Sequence, residues 1–331
     1  MWTPKDVHPL AGLGRHKAMA PGSSNRVVRV AISSNVAIAI CKYVAAAFSG
    51  SSAMLAEAFH STADIGNELL LLLGMRRSAR PADPLHPYGH GKVLYFYSLL
   101  VAVYIFAFGG ALAFYRGISH LRHPELAGHA GWNYAILALA AAGDAYSWRI
   151  SYRALLAQKD PEEGVWDEII GSKDPTIFTV FLEDSAAIVG AVLAFLGILL
   201  GRVFDNPYLD PIASILIGLL LTAVAILLGR ETGALLVGER TNRAIIARVK
   251  RIIQSEPLVE GMGDLLTMQL GPDQVLLNVD VKFRRGIDIQ ELESAIDRLE
   301  DRIRREEPKI KRIYIEADSL KRTRRRPAQA A

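Results

Sequence analysis

SAMLAEAFHSTADIGNELLLLLGM, Ser52 to Met75, is an apolar run long enough to cross a bilayer, since about 20 residues span the hydrocarbon. Four ionisable residues interrupt it: Glu57, His60, Asp64 and Glu68. Steps of three, four and four residues put all of them on one face of a helix. A charged side chain at mid-membrane costs roughly 2.5–3.5 kcal/mol on insertion scales, so such groups seldom persist without a task. Imidazole and carboxylate at i and i+4 are also how one helix offers two ligands to a divalent metal. The stretch therefore predicts a membrane helix carrying half of a transport site, with His60 and Asp64 as ligands.

The chain around it has 331 residues, of which 51% are hydrophobic and 22% charged, with a mean hydropathy of +0.21. That is too charged for a protein wholly in lipid and too apolar for an average soluble enzyme; a membrane part followed by a soluble part fits both. A net charge of +4 points only weakly to nucleic acid, because the basic residues sit beside apolar spans. No nucleic-acid partner is expected. One cysteine, Cys41, excludes an intramolecular disulfide and any cysteine-rich metal cluster; it reads as a small apolar residue of a membrane helix. The first 25 residues lack an apolar core, so they read as a flexible cytoplasmic tail and not as a secretory signal.

Six apolar segments can be drawn, at about 27–48, 52–75, 94–118, 131–156, 176–201 and 210–229. Odd-numbered connections are nearly free of base, with only Arg122 and Arg202. The even-numbered connections and the N-terminal end carry Arg15, Lys17, Arg26 and Arg29, then Arg76, Arg77, Arg80 and Lys92, then Arg149, Arg153, Lys159 and Lys173. By the positive-inside rule both ends face the cytoplasm. The modest loops fit a bacterial inner membrane.

Beyond about Gly229 the composition changes. An amphipathic helix is expected over Arg243–Ser255, strands over Met262–Leu270 and Gln274–Phe283, a helix from Asp288 with a capping-box pattern, and a closing strand over Ile310–Ala317. The order α-β-β-α-β makes a small α+β domain. The expected division is a tail over 1–25, a six-span transport domain over 26–230, an α+β dimerisation domain over 231–318 and a basic disordered tail over 319–331.

A second intramembrane cluster, Glu183 and Asp184, lies in the fifth span; neighbouring carboxylates there cannot both stay ionised without partners. Joined to the second span, they give His60, Asp64 and Asp184 as three ligands for one cation. Zn²⁺ accepts such N and O donors at distances of about 2.0–2.2 Å. A third cluster, Asp83, His86 and His90 in ADPLHPYGHGK, has the spacing of a weak loop chelate. Lys92 is expected to clamp an acidic residue such as Glu239, Lys42 to neutralise a carboxylate such as Glu68, and Asp144 with Ser147 to line a water path. His120, His123 and His129 read as surface residues. All eight histidines precede residue 130, so the soluble domain can bind metal only through carboxylates.

SGSSAMLAEAFHSTAD, HPYGHGK, LEDSAAIVG and DPIASILIG, in this order and with these separations, resemble the cation diffusion facilitators, the zinc-transporter superfamily. The resemblance runs from about Arg26 to Asp318. It implies a homodimer of six-span subunits with metallochaperone-like cytoplasmic domains, exchanging a divalent cation, usually Zn²⁺, for protons, with no prosthetic group. It implies a metal site at His60, Asp64 and Asp184, a loop site at Asp83, His86 and His90, and a dimer-locking role for Lys92. The chain departs from the pattern at Val180, where a ligand is expected four residues before Asp184, and in lacking histidine ligands in the soluble domain. Glu183 is the substitute at hand, rotated about 100° from Asp184 on a regular helix. Two other classes compete with the transporter: a non-transporting dimeric scaffold of the same fold, suggested by Val180, and a membrane-embedded metal hydrolase, against which stands the lack of an HExxH pattern or a large catalytic loop.

Overall fold

In a computed structural model of the chain, which describes residues 21–124, 130–158 and 173–317, long helices run to Val237 and a small sheet begins at Val259. The first 20 residues, His129, most of the acidic loop before Asp174 and the basic C-terminal stretch lie outside the described residues. The long helices are α1 (Pro21–Ser49), α2 (Ser52–Ser78), α3 (Lys92–Leu121), α4 (Ala130–Gln158), α5 (Pro175–Val203) and α6 (Leu209–Val237). Each of the six apolar segments falls inside one of them. Helices α3, α5 and α6 are long and apolar enough to cross a membrane by length and composition. Large apolar side chains such as Ile226, 65% exposed, face outward from the bundle, as does Cys41.

Local chemistry sets the helix ends. Gly50 takes a φ of 69°, which frees the chain to reverse between α1 and α2, and the Ser51 hydroxyl accepts the Met54 N–H to cap α2. Asp174 caps α5, with Pro175 at the first helical position. Helix α6 ends at Gly238, whose φ of 119° is open to glycine. Within α3, Ile105–Ala111 is π-helical, a local widening often found near functional sites.

Helix α2 is the hub, packing against α1, α3, α5 and α6, while α4 packs on α1 and α5. Small residues let backbones close up, the usual means of helix association in lipid. A Cβ on Gly218 of α6 would stand 2.6 Å from the Phe114 backbone nitrogen of α3. The core between the helices is rich in alanine, including Ala53, Ala56, Ala186 and Ala194.

Helix α7 (Arg243–Gln254) opens the C-terminal part, followed by β1 (Val259–Gly271), β2 (Gln274–Phe283), α8 (Ile289–Glu306) and β3 (Ile310–Ala317). This is the α-β-β-α-β order expected; β1 is longer than the Met262–Leu270 strand foreseen. The sheet order is β1-β2-β3, with β1 antiparallel and β3 parallel to β2. Val275, Leu277, Val279, Val281 and Phe283 alternate inward from β2 and meet Ile245, Val249, Ile252 and Ile253 of α7 and Ala295, Leu299 and Ile303 of α8. The Asp288 carboxylate accepts the Glu291 N–H at 2.7 Å, capping α8.

Candidate metal centre

Because α2 packs against four other helices, its polar stripe is delivered into the bundle interior. His60 is 1% exposed, and neither ring nitrogen has a hydrogen-bond partner. Its Nδ1 lies 3.4 Å from Asp64 Oδ1, an ion-pair distance without hydrogen-bond geometry, so Asp64 Oδ1 is also left unpartnered. The Asp64 side chain is 25% exposed. Buried polar atoms are ordinarily satisfied, and each exception calls for an explanation such as an ion. Here an imidazole and a carboxylate oxygen are exceptions together.

Helix α5 presents its two carboxylates to different neighbours. Glu183 accepts a short hydrogen bond from Asn67 Nδ2 of α2. Asp184 turns to α4, where Ser147 Oγ donates to its Oδ2 at 2.8 Å and Ser151 Oγ at 3.5 Å. Ser147 is thereby committed to Asp184. Asn67 was not singled out in the sequence, yet it continues the stripe of His60 and Asp64 by three residues, a spacing that could have found it.

The buried cation nearby is Lys42 of α1. It does meet a carboxylate of α2, but that of Glu57 and not the Glu68 offered as the example: Lys42 Nζ lies 3.0 Å from Glu57 Oε2, and Glu68 accepts from Asn35 Nδ2 at 2.6 Å. The carboxylate of Glu57 rests on Gly190 of α5, where a Cβ would come within 2.4 Å of Oε1.

The loop residues converge more tightly. Asp83, His86 and His90 are, among the described residues, the group of His, Cys, Asp or Glu side chains whose ligand atoms all lie within 4.8 Å of one another. His86 Nδ1 is 3.0 Å from Asp83 Oδ1, and His90 Nε2 is 3.4 Å from Asp83 Oδ2. Desolvation is the largest single influence on the Asp83 carboxyl and pushes it up. The hydrogen bonds from the His86 backbone and ring, with the charges of His86 and His90, outweigh it and hold the group below its ordinary value. The intramembrane residues are spread more widely than this triad.

Two further expectations are corrected. Lys92 does not clamp Glu239; its Nζ approaches the Leu236 carbonyl at 3.4 Å and Met268 Sδ at 3.6 Å, while Lys173 takes Glu239 at 2.8 Å. Lys173 lies nearer, at the mouth of α5. His120 is not a plain surface residue, since it is half-buried with Nδ1 4.0 Å from Asp210 Oδ2; His123 is exposed. Asp210, which heads the segment DPIASILIG, was given no role of its own in the sequence. It accepts from Ser51 Oγ at 2.5 Å, Ser52 N at 2.6 Å and Ser52 Oγ at 2.8 Å, fastening the start of α2 to the start of α6.

Residues 28–237 match the family described as the cation efflux transmembrane domain, and residues 242–320 match the cation efflux protein cytoplasmic domain. The "Proton-coupled zinc antiporter SLC30A9, mitochondrial" of Xenopus laevis is 32% identical over 260 residues, covering 78% of this chain and 46% of that protein. "Metal tolerance protein C4" of Arabidopsis thaliana is 30% identical over 275 residues, 81% of this chain and 59% of that protein. "Metal tolerance protein 2" of Oryza sativa subsp. japonica is 22% identical over 320 residues, 90% of this chain and 79% of that protein. The chain thus spans about half the length of the first two relatives.

Proposed function

The chain belongs to the cation diffusion facilitator family, an integral membrane family of transporters and not of enzymes, and we propose that it exports a divalent cation, chiefly Zn²⁺, in exchange for protons. The names of its relatives, a proton-coupled zinc antiporter and metal tolerance proteins, support that cargo and that coupling. The observation that carries the reading is the unpartnered imidazole of His60 beside the unpartnered Asp64 Oδ1, on the helix that packs against α5. His60, Asp64 and Asp184 are the ligands in this reading, and Glu183, next to Asp184 in the chain, is held by Asn67. Asp83, His86 and His90 form a second, loop site at the end of α2.

Coupling follows from the donors. Coordination needs neutral imidazole and ionised carboxylate, so binding metal expels protons and taking up protons expels metal. An imidazole ordinarily titrates near about pH 6.5, within reach of both states. When the site faces inward, it gives up protons and takes the cation; facing outward, it takes protons and releases it. Alternating access of a single midplane site then yields antiport. All six long helices span the membrane in this reading, with the basic connections and both ends on the cytoplasmic side of a bacterial inner membrane, and two copies associate through their C-terminal domains.

Purified protein in liposomes with an imposed pH gradient is expected to move Zn²⁺, and His60→Ala or Asp64→Ala to stop it. Transport unchanged by either substitution would refute the site. Zinc binding without any proton-driven movement would instead favour the scaffold.

A further inference from the structure

Val180 has no donor atom, so α5 brings one carboxylate where two ligands would complete a four-fold site with the α2 pair. Helix α4 holds the missing group. Asp144, Ser147 and Ser151 follow one another at steps of three and four and share one face. Two of the three are bonded to Asp184 Oδ2, which puts Asp144 one turn from Asp184 along that same face. Its Oδ2 is buried without a hydrogen-bond partner. The Asp144 carboxylate lies within electrostatic reach of Asp64, His60 and Asp184 alike. Leaving a buried polar atom unpaired costs about 1–3 kcal/mol, more for a charged group. Asp144 Oδ2, Asp64 Oδ1 and both nitrogens of His60 share that condition.

We propose that Asp144 is the fourth ligand of the intramembrane cation site, supplied by α4 in place of the ligand that Val180 cannot provide. The proposal rests on the transport-site reading above. It fixes the donor set as one imidazole and three carboxylates, from α2, α4 and α5. Carboxylate oxygens suit Mn²⁺ as well as borderline ions, so this set discriminates less sharply for Zn²⁺ than one richer in imidazole. Asp144 is therefore a determinant of metal choice.

The test is calorimetric binding of Zn²⁺ alone and of Mn²⁺ alone to the purified full chain. It is run on an Asp83→Ala/His86→Ala background, so that the loop does not report. Asp144→Asn is expected to weaken Zn²⁺ binding by more than the roughly 10–100-fold typical of losing an outer-shell partner. Adding Val180→His to Asp144→Asn is expected to restore Zn²⁺ binding with a preference over Mn²⁺, a rescue that a merely structural aspartate would not allow. Asp144→Glu, which keeps the carboxylate, is expected to bind better than Asp144→Asn. Unchanged affinity in Asp144→Asn, or a loss that Val180→His and Glu both leave unrepaired, overturns the assignment. If His60→Ala abolishes binding and Asp144→Asn does not, this inference alone fails. If His60→Ala is also silent, the transport-site reading fails with it.

Discussion

Lys42 Nζ of α1 and Glu57 Oε2 of α2 are 3.0 Å apart, with side chains only 2% and 0% exposed. The pair lies one turn of α2 before His60, so a fixed positive charge stands beside the proposed cation site. Removing one partner of a buried pair strands the other charge, at a cost of about 3–5 kcal/mol, whereas removing both is far milder. Lys42→Ala is thus expected to lower thermal stability in detergent sharply, and Lys42→Ala/Glu57→Gln to recover much of it. Equal losses in the single and double variants would mean that the pair is not coupled.

The loop triad carries its own acid sensitivity. Because its neighbours hold the Asp83 carboxyl below its ordinary value, that ligand stays ionised throughout the mildly acidic range, and proton competition falls on the imidazoles. Metal on the loop is expected to bind near neutrality and to be lost as the pH drops below about 6.5, where imidazoles ordinarily protonate. Zn²⁺ titration of the His60→Ala protein at pH 7.5 and 5.5 reads this directly. Tight binding retained at pH 5.5 would contradict it.

Asp184 is oriented by two hydroxyls of α4, Ser147 at 2.8 Å and Ser151 at 3.5 Å. In the proposed site Asp184 is a ligand, and partners that orient a ligand are worth about 10–100-fold in metal affinity. Ser147→Ala is expected to weaken Zn²⁺ binding within that range while leaving the loop site untouched. Ser147→Thr, which keeps the hydroxyl, is expected to behave nearly as the wild type. An Ala variant with unaltered affinity would show that Asp184 needs no such support.

Close packing of α3 on α6 can be tested at Gly218. A Cβ there meets the Phe114 backbone nitrogen at 2.6 Å and the Gly110 carbonyl oxygen at 2.9 Å, and backbone atoms cannot swing aside as a side chain would. Gly218→Ala is expected to destabilise the protein by about 1–3 kcal/mol, the usual cost of overpacking. Gly233→Ala, on the same helix with nothing within 4 Å, serves as the control and is expected to be neutral or slightly stabilising. A Gly218→Ala protein as stable as that control would show that α3 and α6 can part without cost.

What the sequence disclosed follows helical and strand periods. His60 and Asp64 had to be neighbours because steps of four return to one face, and β2 had to turn Val275 through Phe283 inward because strands alternate. Hidden from it were levels between helices. Glu57 and Glu68 share a face of α2, so the face alone did not tell which of them Lys42 meets. The Gly50 turn does: Lys42 lies 8 residues before it and Glu57 7 after it, whereas Glu68 lies 18 after it. Lys92 was misassigned for a similar reason, since the rival Lys173 reaches Glu239 from a loop with no period to read. Asp210 escaped because a carboxylate at the start of an apolar helix resembles an ordinary first-turn acid until its partners 158 and 159 residues away are seen.

The grip of Asp210 on Ser51 and Ser52 makes one end of α2 an anchored pivot. Were α2 to tilt about that anchor, Ser52 would travel least, His60 and Asp64 more, and Ser78 most. The Asp83, His86 and His90 triad follows that far end, where Arg77 bonds to Tyr97 of α3, so such a tilt would be amplified there and would carry α3 with it. Spin labels near Ser78 should therefore register changes of state that labels near Ser52 do not.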